Sequence, residues 1–210
     1  MEIESTLMEL EETIESAVRA EVDGAMRGKM ADVIRAAAHR AGESIDHHEV
    51  DRGVDFVARY VRAVPMLLRE ALAASHGTFA EDKMTRMVAA AAAYWDAEDD
   101  VIHDDQGLLG ILDDAYCTVS LLLALSTRFH EETGQHLIGD DLERPTEVVR
   151  NLLGVPIAAK LDDYVDTALA DASVDELVAS LKEQPLRPPP ANSSWAPEED
   201  DAILRMFGVV

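Results

Sequence analysis

Cysteine occurs once in this chain, as Cys117, so no internal disulfide can form and packing alone has to hold the fold. Aromatic residues make up only 5% of the 210 positions, which argues against base-stacking surfaces and aromatic-lined cofactor pockets. Basic residues are also few: 18 lysines and arginines face 42 acidic residues, a net charge of −24, and the basic ones are scattered. Such a chain repels phosphate backbones, so no direct nucleic-acid binding is expected. The glycine-rich phosphate loop, the CxxC pair, HExxH and GxSxG are all missing. The longest apolar run, around 119–125, is too short to span a bilayer. The opening MEIESTLMELEE is acidic and amphipathic, unlike a secretory signal. The expectation is a cytoplasmic protein with no membrane contact.

What remains is helical. Hydrophobic residues reach 48%, and the length suits one domain with an appended arm. Apolar residues recur with helical period, and strand alternation is absent. Ile3, Leu7, Leu10, Ile14 and Val18 form a first stripe, and Met30, Val33, Ile34 and Ala37 a second that ends near Gly42. Asp46 reads as the cap of a third helix carrying Val50, Val54, Val57 and Val61, and Pro65 as the start or kink of the next. His47 and His48, adjacent in a first turn, point about 100° apart and do not read as a metal pair.

Thr78 opens a helix through Phe79, Met84, Met87, Val88, Ala91 and Trp95, whose alanine run (89–93) would let another helix come close. Leu108, Leu112, Ala115, Val119 and Leu122 share one face of a later helix, and Gly110, Cys117, Leu121 and Leu125 another. A helix apolar on two faces is a core helix. The expected fold is all-α: a compact multi-helix domain built round a central hairpin of about 79–97 and 107–133. Ser173 with Glu176 reads as the capping box of its last helix.

Residues 1–184 form the expected helical domain and PLRPPPANSS, 185–194, an extended linker. The arm 195–210 carries Trp195, Ile203, Leu204, Met206 and Phe207 on one apolar face. So short a helix must dock to be stable, either on its own domain or in a partner's groove as a partner-binding tail.

The densest chemistry lies in YWDAEDDVIHDDQGLLGILDDA, 94–115. Asp96, Asp99, Asp100, Asp104, Asp105, Asp113, Asp114 and Glu98 crowd it. Two readings compete. Asp104 and Asp105 precede a helix and suit its N-terminal N–H groups, while Asp113 and Asp114, inside that helix, need hydrogen-bond partners if buried. Alternatively Asp100, Asp104, Asp113 and Asp114 converge on a divalent ion such as Mg2+, with His103 adding a nitrogen ligand. DDYVD, 162–166, matches the DDxxD pattern that holds magnesium and diphosphate in helical isoprenoid synthases, although this chain is poor in the basic residues such sites use.

The run Tyr94, Asp100, Ile102, Asp104, Gly110, Leu112, Asp113, Asp114 resembles the core of the YkvA-like family, a helical domain of unknown function, in its D…D…G-x-L-D-D spacing. The similarity extends loosely over about 65–125. It implies a helical hairpin whose turn is tied by the matched residues, and it implies no reaction. Glu98 and His103 stand where that family has prolines. The favoured reading is a non-enzymatic accessory protein or homo-oligomer acting through acidic faces and the tail, with no cofactor. The alternatives are a magnesium-dependent helical enzyme acting on a diphosphate or nucleotide, and an acidic nucleic-acid mimic.

Overall fold

The apolar stripes become buried surface in a computed structural model, which describes residues 2–22, 27–95, 101–102, 104–139, 142–183 and 197–209. The described residues form α-helices and one 3-10 segment, without strands. α1 (Glu2–Val22) buries Leu7, Leu10, Ile14 and Val18, and α2 (Arg27–Arg40) buries Met30 and Ile34.

α3 (His47–Ser75) starts at a capping box: Asp46 accepts from the Glu49 N–H at 2.9 Å, and the Glu49 carboxylate accepts from the Asp46 N–H at 2.8 Å. Pro65, expected to start or kink the next helix, lies inside this 29-residue one. The lost hydrogen bond and ring clash cost about 3 kcal/mol. Val61, Val64, Leu67 and Leu68 are fully buried on either side, each worth about 1.5–3 kcal/mol, and their packing outweighs that cost. Arg62 pairs with Glu15 of α1 at 2.7 Å, and Arg69 with Glu4 at 2.9 Å and with Glu11. A Cβ at Gly53 would stand 3.1 Å from two carbons of Ile34, so α2 and α3 are in close contact.

α4 (Glu81–Tyr94) begins later than Thr78, because residues 76–80 are organised as a turn. The Glu81 carboxylate accepts from the Gly77 N–H at 2.8 Å and meets His76 Nδ1 at 2.9 Å. The Thr78 hydroxyl accepts from the Ala80 N–H. A 3-10 segment, Asp104–Leu109, follows, with Gly107 at φ 65°. This left-handed residue interrupts the helix expected from about 107, and α5 (Leu112–Thr133) starts five residues later. Asp113 and Asp114 therefore sit in its first turn, where carboxylates suit the dipole, and not in its interior.

Among the described residues, α3, α6, α7 and α8 lie closely along α5. α4 meets α5 at one end, where Trp95 Nε1 donates to Thr118 Oγ1 at 3.0 Å. Gly134, at φ 74°, ends α5. α6 (Glu143–Leu153) and α7 (Val155–Leu169) are separated by Gly154, and Arg40 of α2 donates to the carbonyls of Asn151 and Leu152 at the end of α6. α8 (Ala172–Lys182) is capped by Asp171, which accepts from the Ser173 N–H at 2.8 Å. The expected Ser173 box is not used, because the helix begins before it. Lys182–Glu132 and Arg128–Asp175 pairs pin α8 to α5.

α9 (Pro197–Met206) docks on α3 and α6. Ile203, Leu204, Met206, Phe207 and Val209 are buried there, and Asn151 Nδ2 donates to the Phe207 carbonyl at 3.0 Å. The tail face expected to serve a partner is thus occupied within the chain: a ten-residue helix is unstable alone, and its own domain supplies the apolar surface. Trp195 and the linker 185–194 lie outside the described residues. Residues 106–133 taken together are long and apolar enough to cross a membrane by length and composition, and 72% of the 18-residue apolar window within them is buried in the fold.

Candidate functional site

Of the acidic stretch, Asp96, Glu98, Asp99, Asp100 and His103 lie outside the described residues, and Asp104 belongs to the 3-10 segment. Asp113 and Asp114 are both 1% exposed. The Ile102 N–H donates to Asp113 Oδ2 at 2.9 Å, so Asp113 ties the incoming turn to the start of α5. The neighbouring turn closes through the Gly110 N–H on the Gly107 carbonyl at 3.0 Å. Among the described residues, no three or more His, Cys, Asp or Glu side chains gather as a metal site would require.

The DDYVD segment is divided between different surroundings. Asp162 accepts from the Tyr116 hydroxyl at 2.6 Å and from Arg150 Nη2 at 2.7 Å, which braces α5, α6 and α7 together. Asp163 and Asp166 stand exposed on α7. The first carboxylate of the motif is already neutralised by a guanidinium.

A cavity opens beside these segments. It is a groove of about 500 Å³ bounded by α4, α5, α7 and α8. Met87, Ala90 and Ala91 of α4, Leu121 of α5, Val165 and Ala168 of α7, and Val174 and Leu177 of α8 supply its apolar lining. The alanine run expected to admit a neighbouring helix buries Ala92 where α4 packs on α1 and α3, and its Ala90 and Ala91 leave room on the groove side. That run was the sequence signal for the groove. It was not decisive, because which helix lies opposite is set by tertiary packing.

At one end stand Lys83 and Arg86. Lys83 Nζ donates to Ser180 Oγ at 2.9 Å and to the Glu176 carbonyl at 3.2 Å, and lies 3.6 Å from the Glu176 carboxylate. Tyr164, 53% exposed, is part of the rim. At the other end Tyr94, Cys117 and Thr118 supply the polar groups. Burial pushes the Cys117 thiol up to about 12, with Asp113, Asp114 and Asp162 adding to the effect and a hydrogen bond from Tyr94 opposing it. Burial likewise raises the phenols of Tyr94 and Tyr116, the latter also through its hydrogen bond to Asp162. At neutral pH the thiol is therefore protonated and inert as a nucleophile.

The fold and groove define an all-α protein with a preformed apolar cavity. Comparison with protein-family models, with curated proteins and with solved structures finds no match.

Proposed function

We propose that this chain is a non-enzymatic helical accessory protein of the cytoplasm, with a YkvA-like core over about 65–125, working by protein–protein contact through its acidic faces. The observation that carries this reading is the chemical state of the groove. Its thiol is held protonated, the Tyr94 phenol is raised by burial, and its two carboxylates, Asp171 and Glu176, are engaged with a helix cap and with Lys83. Such a cavity offers binding and no group poised for proton transfer or attack.

The tail uses its apolar face within the chain, so contact with a partner falls to exposed carboxylates. On the outer face of α1, Glu9 and Glu12 flank Met8, which is 55% exposed. A basic protein surface complements that patch, and no metal, membrane or nucleic acid enters the reading.

Cross-linking of the full chain in its native host, followed by reconstitution with the purified partner, tests this. A one-to-one complex that weakens in high salt and in Glu9→Lys/Glu12→Lys supports it. Magnesium-dependent turnover of a diphosphate substrate by the purified chain, abolished by Asp113→Asn, would overturn it.

A further inference from the structure

We propose that the groove between α4, α5, α7 and α8 binds one small anionic amphiphile, an aliphatic carboxylate, with its chain along the alanine run and its head group at Arg86.

The room itself is the first argument. Apolar surface gains by leaving water, and a groove with a mostly apolar lining offers that surface to a ligand. A volume of about 500 Å³ lies in the range that accepts a small molecule. Here it is created by small side chains, Ala90, Ala91 and Ala168, facing larger aliphatic ones. Tyr94 at the far end and Tyr164 on the rim are the rings of the lining, and the aliphatic stretch between them suits a flexible alkyl chain.

Charge decides the head group. The two carboxylates of the lining are taken: Asp171 holds the Ser173 N–H as the cap of α8, and Glu176 faces Lys83. Lys83 is in turn held by Ser180 and the Glu176 carbonyl. Arg86 is exposed and, among the described residues, takes part in no ion pair. A carboxylate at the groove mouth gains a charge-assisted hydrogen bond there, whereas a cationic head would find only carboxylates already engaged.

Length sets the chain. From Arg86 to Tyr94, α4 advances about 12 Å, the reach of a medium-length alkyl chain. The far end, at Tyr94 and Cys117, carries no charge at neutral pH, since a phenol and a thiol are protonated there and burial raises both further. An alkyl terminus can lie there without stranding an ion. A lipid bilayer is a poorer source of the same chemistry, because an anionic membrane brings many charges against a chain of net charge −24, whereas a single carboxylate meets Arg86 locally.

The test is calorimetric titration of the full chain with sodium decanoate below its micelle concentration, at mildly alkaline pH. One site per chain is expected. Arg86→Gln should weaken decanoate about tenfold, the lower end of what a charge-assisted bond supplies, and leave decanol unchanged. Ala90→Leu, at an exposed position that narrows the groove, should weaken both ligands, while circular dichroism and melting show the fold intact. Four results overturn the proposal: no decanoate binding at millimolar concentration, equal affinity in Ala90→Leu, binding only to phospholipid vesicles, or a dimer that closes the groove in sedimentation and is lost in Ala90→Leu.

Discussion

Replacing Asp113 by alanine is expected to destabilise the domain by about 2–3 kcal/mol. Two contributions add. The Ile102 N–H, which donates to Asp113 Oδ2 at 2.9 Å, belongs to a residue only 7% exposed, and stranding a buried donor costs about 1–3 kcal/mol. Removing a carboxylate from the first turn of α5 forfeits a further contribution of about 0.3–1 kcal/mol from the helix dipole. In a domain of this size each kcal/mol moves the melting temperature by roughly 2–4 °C, so the variant should melt about 5–10 °C lower. The assay is a pair of thermal melts at neutral pH, with and without millimolar Mg2+. Metal should leave both curves where they are. If the wild-type chain gained several degrees from Mg2+ and Asp113→Ala lost that gain while keeping its metal-free stability, Asp113 would be a ligand and the brace reasoning would be wrong.

Three further outcomes are expected. Deleting 197–210 should lower stability by more than about 2 kcal/mol, because five apolar side chains leave the core; an unchanged melt would show that α9 is not docked in solution. Cys117 should resist iodoacetamide at pH 8 in the folded chain and react on unfolding, and rapid native labelling read by mass spectrometry would contradict its buried, neutral state. Arg62 holds the Glu15 carboxyl below its ordinary value of 4.5, so the pair contributes above about that pH and its contribution fades as pH falls below it. Both groups are nearly half exposed, which keeps the effect under about 1 kcal/mol. Arg62→Gln should therefore be less stable than wild type at pH 6 and match it near pH 3, and an equal gap at both values would refute the linkage.

Helix content was readable because burial follows period: the stripes of α1 and α2 became core, apart from Ile3 and Val33, which are half-buried against it. The capping box at Asp46 was half visible, through the aspartate but not its Glu49 partner. Local competition was harder to read. Thr78 and Glu81 both suit a helix start, and the carboxylate's reach back to Gly77 and His76 decided in favour of the later one. Gly107 could have continued a helix or interrupted it, and only its φ of 65° says which. The groove was least legible, since five alanines describe equally a close helix contact and a space without one. Period reports which face is buried and says nothing of which neighbour buries it.

The ion pairs between α1 and α3 have a mechanical meaning. Pro65 deprives the Val61 carbonyl of its helical donor, which makes that point the natural place for a 29-residue rod to bend. Arg62 grips α1 on one side of the proline and Arg69 grips it on the other, with Glu15 and then Glu11 and Glu4 met in reverse order along the antiparallel partner. α1 is therefore a splint laid across a weak joint. The stiffness of the longest helix resides in the pair of helices, and a load that peels α1 away would turn α3 from a beam into a hinge.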